Sequence, residues 1–150
     1  MTLEIGQPAP DFTLRDENNQ EVKLSELRGS PVVLMFYPLD FSPLCTKELC
    51  SLRDNFYKDY QAKGAKVFGI SRDSTWTHKA FKEQEKLDYS LLADMKGDVA
   101  RQHGAWNEQF GVAERLTVIV DADGNVQFSD RSENMGKERD QSKAVAALQG

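Results

Sequence analysis

The sequence predicts an α/β fold, with one mixed β-sheet flanked by helices and entered through an N-terminal β-hairpin. Three observations carry this expectation. Continuous β-prone runs at Pro31 to Tyr37 and Val67 to Ile70 suit strands buried on both faces. Segments with apolar residues at helical spacing lie between and after them. Two pairs of short β-prone segments, one near each end of the chain, are joined by turn residues and suit hairpins.

In chain order, Phe12 to Leu14 and Val22 to Leu24 alternate apolar with polar residues around the turn-rich Asp16 to Asn19. Gly29 precedes the strand at Pro31 to Tyr37. A helix is expected from about Pro43 to Ala62, because Leu44, Leu49, Leu52 and Phe56 recur at near-helical spacing and Gly64 can cap its end. After Val67 to Ile70, the segment Thr75 to Lys86 reads as a helix with Trp76, Ala80 and Phe81 on one side, where both Trp76 and Trp106 are expected to serve packing. Gly97 to His103 reads as a shorter helix following the Leu91–Leu92 segment. Leu116 to Val120 and Val126 to Phe128 surround Asp121 to Asn125, where Gly124 supplies the positive φ that such turns need. A last helix spans about Glu138 to Leu148. The order hairpin, strand, helix, strand, helix, hairpin, helix combines crossovers with antiparallel strands and fits a thioredoxin-like arrangement.

The 150 residues, 39% hydrophobic and 29% charged, are expected to form a single globular domain spanning 1–150. A formal net charge of −5 argues against a surface built to neutralise nucleic-acid phosphates. The longest apolar run, Val32 to Tyr37, is far shorter than the roughly 20 residues that span a bilayer, so no membrane association is expected. Met1 to Pro10 lacks the basic start and apolar stretch of a secretory signal, which makes the cytoplasm the expected compartment. Only two cysteines occur, Cys45 and Cys50, and in a reducing compartment such a pair points to catalysis or metal binding before a structural disulfide.

The informative stretch is Phe36 to Cys50, which begins in a buried strand and ends in the first turns of a helix. Ser42 is a favoured N-cap residue, and Pro43 suits the first helical position, which makes Cys45 the third helical residue. Glu48 stands too late for a capping box. Backbone N–H groups of a first helical turn have no intrahelical acceptor, and the helix dipole adds roughly half a positive charge there, so a thiolate at Cys45 is favoured. Pro38 and Pro43 bracket the loop and are expected to hold the sulfur where a small substrate can approach.

Pro38, Ser42 and Cys45 stand at the spacing of the peroxiredoxin active-site signature, and the sequence resembles that family over nearly its whole length. Phe36 to Cys50 is similar to the bacterioferritin-comigratory-protein branch. Trp106 to Arg115 and Gly136 to Gln141 are similar to the AhpE branch. The resemblance implies a thioredoxin-fold peroxidase that needs no cofactor or metal. It makes Cys45 the peroxide-attacking thiol and Arg115 the active-site arginine, with Pro38 and Ser42 shaping the pocket and Glu48 orienting Arg115. Most members have Thr where Ser42 stands. In the comigratory-protein branch a cysteine at the place of Cys50 resolves the sulfenic acid as a disulfide, whereas typical AhpE-like members lack it. Thioredoxin or a similar small thiol carrier is the implied reductant, and both monomer and homodimer remain open.

Residues i and i+5 of an intact helix lie about 140° apart and roughly 7.5 Å along the axis, so a Cys45–Cys50 bond requires the first turns to unwind. Three alternatives stand beside this reading. One is a one-cysteine enzyme resolved by an external thiol. A thiol–disulfide oxidoreductase would normally use Cys-x-x-Cys. A metal module would combine Cys45 and Cys50 with His78 or His103, although both histidines read as surface side chains and the spacing matches no common cluster.

Overall fold

A computed structural model describes residues 3–148. Residues 1 and 2, where the segment read against a secretory signal begins, lie outside the described residues. Strands β1 (Thr13–Asp16), β2 (Glu21–Lys23), β3 (Val32–Phe36), β4 (Lys66–Ser71), β5 (Ser90–Ala93), β8 (Leu116–Val120) and β9 (Val126–Arg131) form one sheet in the order β2-β1-β5-β4-β3-β8-β9. Its centre is parallel, β3 with β4 and β4 with β5, while β8 pairs antiparallel with β3 and the β1–β2 hairpin closes the other side. The mixed α/β sheet, its N-terminal hairpin and the second hairpin around Gly124, at φ 92°, follow the expectation.

β3 is buried along its whole length, and its alternate side chains serve two cores. Val32, Leu34 and Phe36 pack with Phe12, Val118 and Val99 on one face. Val33, Met35 and Tyr37 pack with Cys45, Leu49, Leu52 and Phe81 on the other. The second core holds the helices in place. Burying a leucine such as Leu49 or Leu52 contributes about 1.5–3 kcal/mol. Gly69 in β4 leaves room for the side chains around it: a Cβ there would lie 2.8 Å from Leu91 Cδ2 and 3.1 Å from the Tyr37 ring.

The expected helix from residue 43 to 62 is built in three parts: α1 (Pro43–Ser51), a π-helical turn (Leu52–Phe56) and α2 (Tyr57–Ala62). Helix α3 (Thr75–Glu85) buries His78 and Phe81, not the side that carries Trp76 and Ala80. Trp76 is 82% exposed, so its expected packing role is corrected. The true inward stripe places a histidine where an apolar residue was sought. Trp106 does pack against the first core and lies under the Arg101 guanidinium, 4.6 Å from its ring centre.

The Leu91–Leu92 segment is β5, a central strand too short to show its own period. Helix α4 (Asp98–Gln102) follows it, and β6 (Trp106–Asn107) and β7 (Val112–Ala113) form a small separate hairpin. Helix α5 (Gln141–Ala147) starts later than expected, because the Asp140 carboxylate caps it and the Arg139 N–H is drawn to Glu48 instead. No helix among the described residues is long and apolar enough to cross a membrane.

Candidate active site

β3 ends at Phe36, and the chain turns through Tyr37 to Ser42 before α1 begins. Phe41 adopts φ 67°, a left-handed conformation costing about 1–2 kcal/mol for a residue with a Cβ. Its ring is held edge-on against Phe81 of α3, with centroids 5.0 Å apart. Ser42 has the extended backbone of an N-cap, but its hydroxyl donates to the Leu39 carbonyl at 2.8 Å and makes no cap bond. The expected side-chain cap is thus corrected: the hydroxyl tightens the loop before the helix. The first intrahelical bond is Thr46 N–H to the Ser42 carbonyl at 2.9 Å, so the N–H groups of Leu44 and Cys45 precede the ladder.

Cys45 is the third residue of α1, as expected, but its side chain is fully buried. In the loop before it Pro38 is buried as well, while Leu39, Phe41 and Pro43 are exposed. Open approach to the sulfur is therefore not what the closed loop provides.

Arg115 lies just before β8, with only 6% of its surface exposed, which excludes a solvated strand-end cation. Its Nη1 stands 3.1 Å from Cys45 Sγ and 2.8 Å from Glu48 Oε1. Its Nε donates to the Met135 carbonyl at 2.9 Å. Glu48, one helical turn after Cys45, is fully buried between two guanidinium groups.

The second guanidinium is Arg139, a residue given no role by the sequence reading. Its backbone N–H and Nε donate to Glu48 Oε2 at 2.8 and 3.1 Å, and Nη2 reaches Oε1 at 3.2 Å. Its remaining donors meet the carbonyls of Phe36 and Leu116 and the Thr117 hydroxyl. Burial works against the charged form of Arg139, and the Glu48 carboxylate counters it. Gln141 Nε2 adds a bond to the Glu48 carbonyl at 3.0 Å. The resulting group holds two buried cations and one buried carboxylate against the sulfur.

A second network anchors the loop from behind. Asp40 Oδ1 accepts from the Tyr37 hydroxyl at 2.6 Å, Oδ2 lies 2.6 Å from His78 Nδ1, and the Asp40 N–H donates to Asp73 Oδ2 at 2.8 Å. His78 Nε2 faces the Leu92 carbonyl at 3.0 Å. Both histidines are buried, contrary to the expected surface positions, because each is covered from elements distant in sequence. His103 donates from Nδ1 to the Val99 carbonyl and packs against Phe12 and Phe36, and burial pushes its imidazole below the ordinary histidine value. Asp40, Asp73 and His78 bring possible metal-ligand atoms within 4.8 Å of one another. Yet both Asp40 oxygens and both His78 nitrogens already have partners, which suits a loop anchor better than an ion site. Neither histidine makes its hydrogen bonds to a cysteine.

Cys50 is half-buried one turn further along α1 and faces a different partner. Its thiol donates to Glu85 Oε1 of α3 at 3.3 Å, and the neighbouring Tyr89 hydroxyl donates to the Leu49 carbonyl at 2.6 Å. Burial raises the Cys50 thiol above the ordinary cysteine value, and the Glu85 contact raises it further.

The structure brings Cys45, Glu48 and Arg115 together, places Pro38 and Ser42 in the loop that leads into the same helix, and leaves Cys50 against Glu85. Asp40 lies within Phe36 to Cys50 and Arg139 within Gly136 to Gln141, two stretches that carry the family resemblance. Only the fold shows what they touch.

Comparison with known proteins agrees with this geometry. Peroxiredoxin Q, chloroplastic, from Oryza sativa subsp. japonica is 43% identical over 124 residues, and the protein of the same name from Arabidopsis thaliana is 46% identical over 124 residues. Each alignment covers 82% of this chain but 57% of the relative, so the chain spans little more than half the length of these curated relatives. Among solved structures, peroxidoxin BcpB from Mycobacterium tuberculosis superposes with a TM-score of 0.86 at 36% identity, covering 97% of this chain and 96% of that one. Enterococcus faecalis AhpC gives 0.88 at 30% identity, covering 99% and 91%. These likenesses bear out the thioredoxin-like fold and the family resemblance read from Pro38, Ser42 and Cys45. With residues 5–129 also matching the profile of the AhpC/TSA family, the chain belongs to that family.

Proposed function

We propose that the protein is a thiol-dependent peroxidase that reduces hydrogen peroxide and organic hydroperoxides at Cys45. One observation carries the reading: a buried guanidinium of Arg115 points at the Cys45 sulfur from 3.1 Å, inside a group of two cations and one carboxylate. Buried charges are costly unless balanced, and a thiolate supplies the missing negative charge. A cysteine serving only as a small hydrophobe would need neither Arg115 nor a helix start around it.

In the reaction, the thiolate attacks one peroxide oxygen and the O–O bond breaks. The departing oxygen takes the electron pair and leaves, once protonated, as water or an alcohol, while Cys45 becomes a sulfenic acid. Arg115 and the N–H groups of Leu44 and Cys45 face the region where that charge builds, which is where preorganised donors lower a barrier most. Glu48 and Arg139 hold Arg115 in place. Pro38 and Ser42 shape the loop that leads into the helix and forms the pocket for substrate.

Cys50 then attacks the Cys45 sulfur, forming an intramolecular disulfide and releasing water. A small dithiol carrier of the thioredoxin type returns both cysteines to thiols. Such a cycle suits a reducing compartment such as the cytoplasm. The one-cysteine reading shares the first step and differs only in the thiol that resolves it.

Stopped-flow peroxide consumption tests the proposal. Cys45→Ser is expected to abolish it, and Cys50→Ser to retain the first turnover and lose the disulfide, seen by mass spectrometry after one equivalent of peroxide. Normal turnover by the Cys45 variant would end the peroxidase reading. A product holding only sulfenic acid in the unaltered protein would remove Cys50 from it.

A further inference from the structure

We infer that Glu85 sets the pace of the second thiol: its carboxylate keeps Cys50 as a docked, protonated thiol and so prolongs the life of the sulfenic acid at Cys45. This rests on the proposed reading of Cys50 as the resolving residue, and concerns how that step is timed.

The contact joins two helices. Cys50 Sγ on α1 and Glu85 Oε1 at the end of α3 lie 3.3 Å apart. The α3 end is itself pinned, since the Arg53 guanidinium donates to the Glu85 carbonyl. Glu85 Oε2 accepts from Gln84 Nε2 at 3.1 Å, and no Lys, Arg or His among the described residues forms an ion pair with this carboxylate. Its negative charge therefore faces the thiol with no cation paired to it among the described residues.

The charged and titratable groups around Cys50 come from three directions. Arg53 and Asp54 stand on its own helix and are paired with each other at 2.7 Å, Glu85 comes from α3, and Tyr89 leads into β5. Arg53 favours the thiolate, whereas burial, Glu85 and Asp54 oppose it and prevail. The anionic carboxylate accepts from the thiol and repels the thiolate, so the contact selects the unreactive form.

Resolution requires that contact to break. The Cys50 thiol loses its proton, the thiolate attacks the Cys45 sulfur, the S–O bond breaks, and the departing hydroxide takes up a proton to give water. Both electrons of the new S–S bond come from Cys50, and no other oxidant enters. While Glu85 holds the thiol, the sulfenic acid persists and remains open to a second peroxide, which makes a sulfinic acid.

Single-turnover rapid quench with thiol trapping and mass spectrometry tests this on the full chain. In Glu85→Gln the disulfide phase at neutral pH is expected to run severalfold faster, because losing the carboxylate's charge raises the thiolate fraction and the weaker nucleophilicity of a more acidic thiol takes back only part of the gain. The pH profile of this phase moves to lower pH, and the sulfinic fraction at excess peroxide falls. Glu85→Ala repeats the measurement without an amide, and Glu83→Gln, on the exposed side of α3, is the control. If both Glu85 variants keep the unaltered protein's rate and profile, or resolve more slowly, the inference is overturned while the role of Cys50 stands. Absence of any Cys45–Cys50 disulfide in the unaltered protein would overturn both.

Discussion

Cys45 and Cys50 stand five residues apart on one helix and meet opposite charges. The sulfur of Cys45 faces the guanidinium of Arg115, 70 positions away in sequence, while that of Cys50 faces the carboxylate of Glu85, 35 positions away. Cys45 also lies beside the positive start of the helix, and Cys50 lies beyond its first turn. The difference teaches that local sequence presents a thiol, and the far side of the fold decides what it can do. In the proposed cycle, the cation makes one sulfur ready to attack and the carboxylate makes the other wait.

The contrast can be broken most severely at Arg115. Arg115→Ala removes the donor facing the reacting oxygen, and a loss of about 10²- to 10³-fold in the rate constant for peroxide is expected from stopped-flow measurements. A rate within a factor of a few of normal would show that the helix start alone suffices.

Arg139 tests whether that readiness depends on support from behind. Arg139→Met leaves Glu48 paired with Arg115 only, and urea unfolding is expected to show a loss of about 1.5–3 kcal/mol, the usual range for hydrogen bonds to a charged group. Combined with Glu48→Gln, the two losses should not add, because each change removes part of the same contact. Simple additivity would mean that Arg139 acts on the fold through its carbonyl bonds to Phe36 and Leu116 instead.

The mildest test sharpens the Cys50 side in the unaltered protein. Because its thiol lies above the ordinary cysteine value, the reactive thiolate gains population only as pH rises through and past that ordinary range. Disulfide formation in quenched single turnovers should therefore still be accelerating with pH where an ordinary thiol would level off. A plateau at the ordinary cysteine value would place Cys50 free of Glu85 in solution.

The legibility of the molecule follows the range of the interactions. β3 and the start of α1 could be read because their signals are contiguous: an unbroken apolar run, then Ser42, Pro43 and Cys45 in helical order. Arg115 and Glu48 came only through the family resemblance, since nothing local links residues 67 positions apart. Arg139, Asp40 and His78 were missed as working parts because their burial is imposed by elements that meet only after folding. Trp76 was misplaced for the same reason: α3 turns His78 and Phe81 inward, and a polar residue on the inner stripe blurs the period. β5 was overlooked because two leucines between polar neighbours carry too short a pattern, although its place beside β4 makes it central.

The π-helical turn at Leu52–Phe56 has a consequence for the winding of everything before it. Such a turn accommodates one residue more than the regular ladder, so deleting one residue there would let α1 and α2 run as a single regular spiral. α1 would then be rotated by about 100° and shifted by about 1.5 Å relative to α2. Cys45 would swing off the axis of the Arg115 guanidinium although no atom touching it had been altered. The aim of the sulfur is thus encoded in the phase of a helix, in a surplus residue more than a turn downstream.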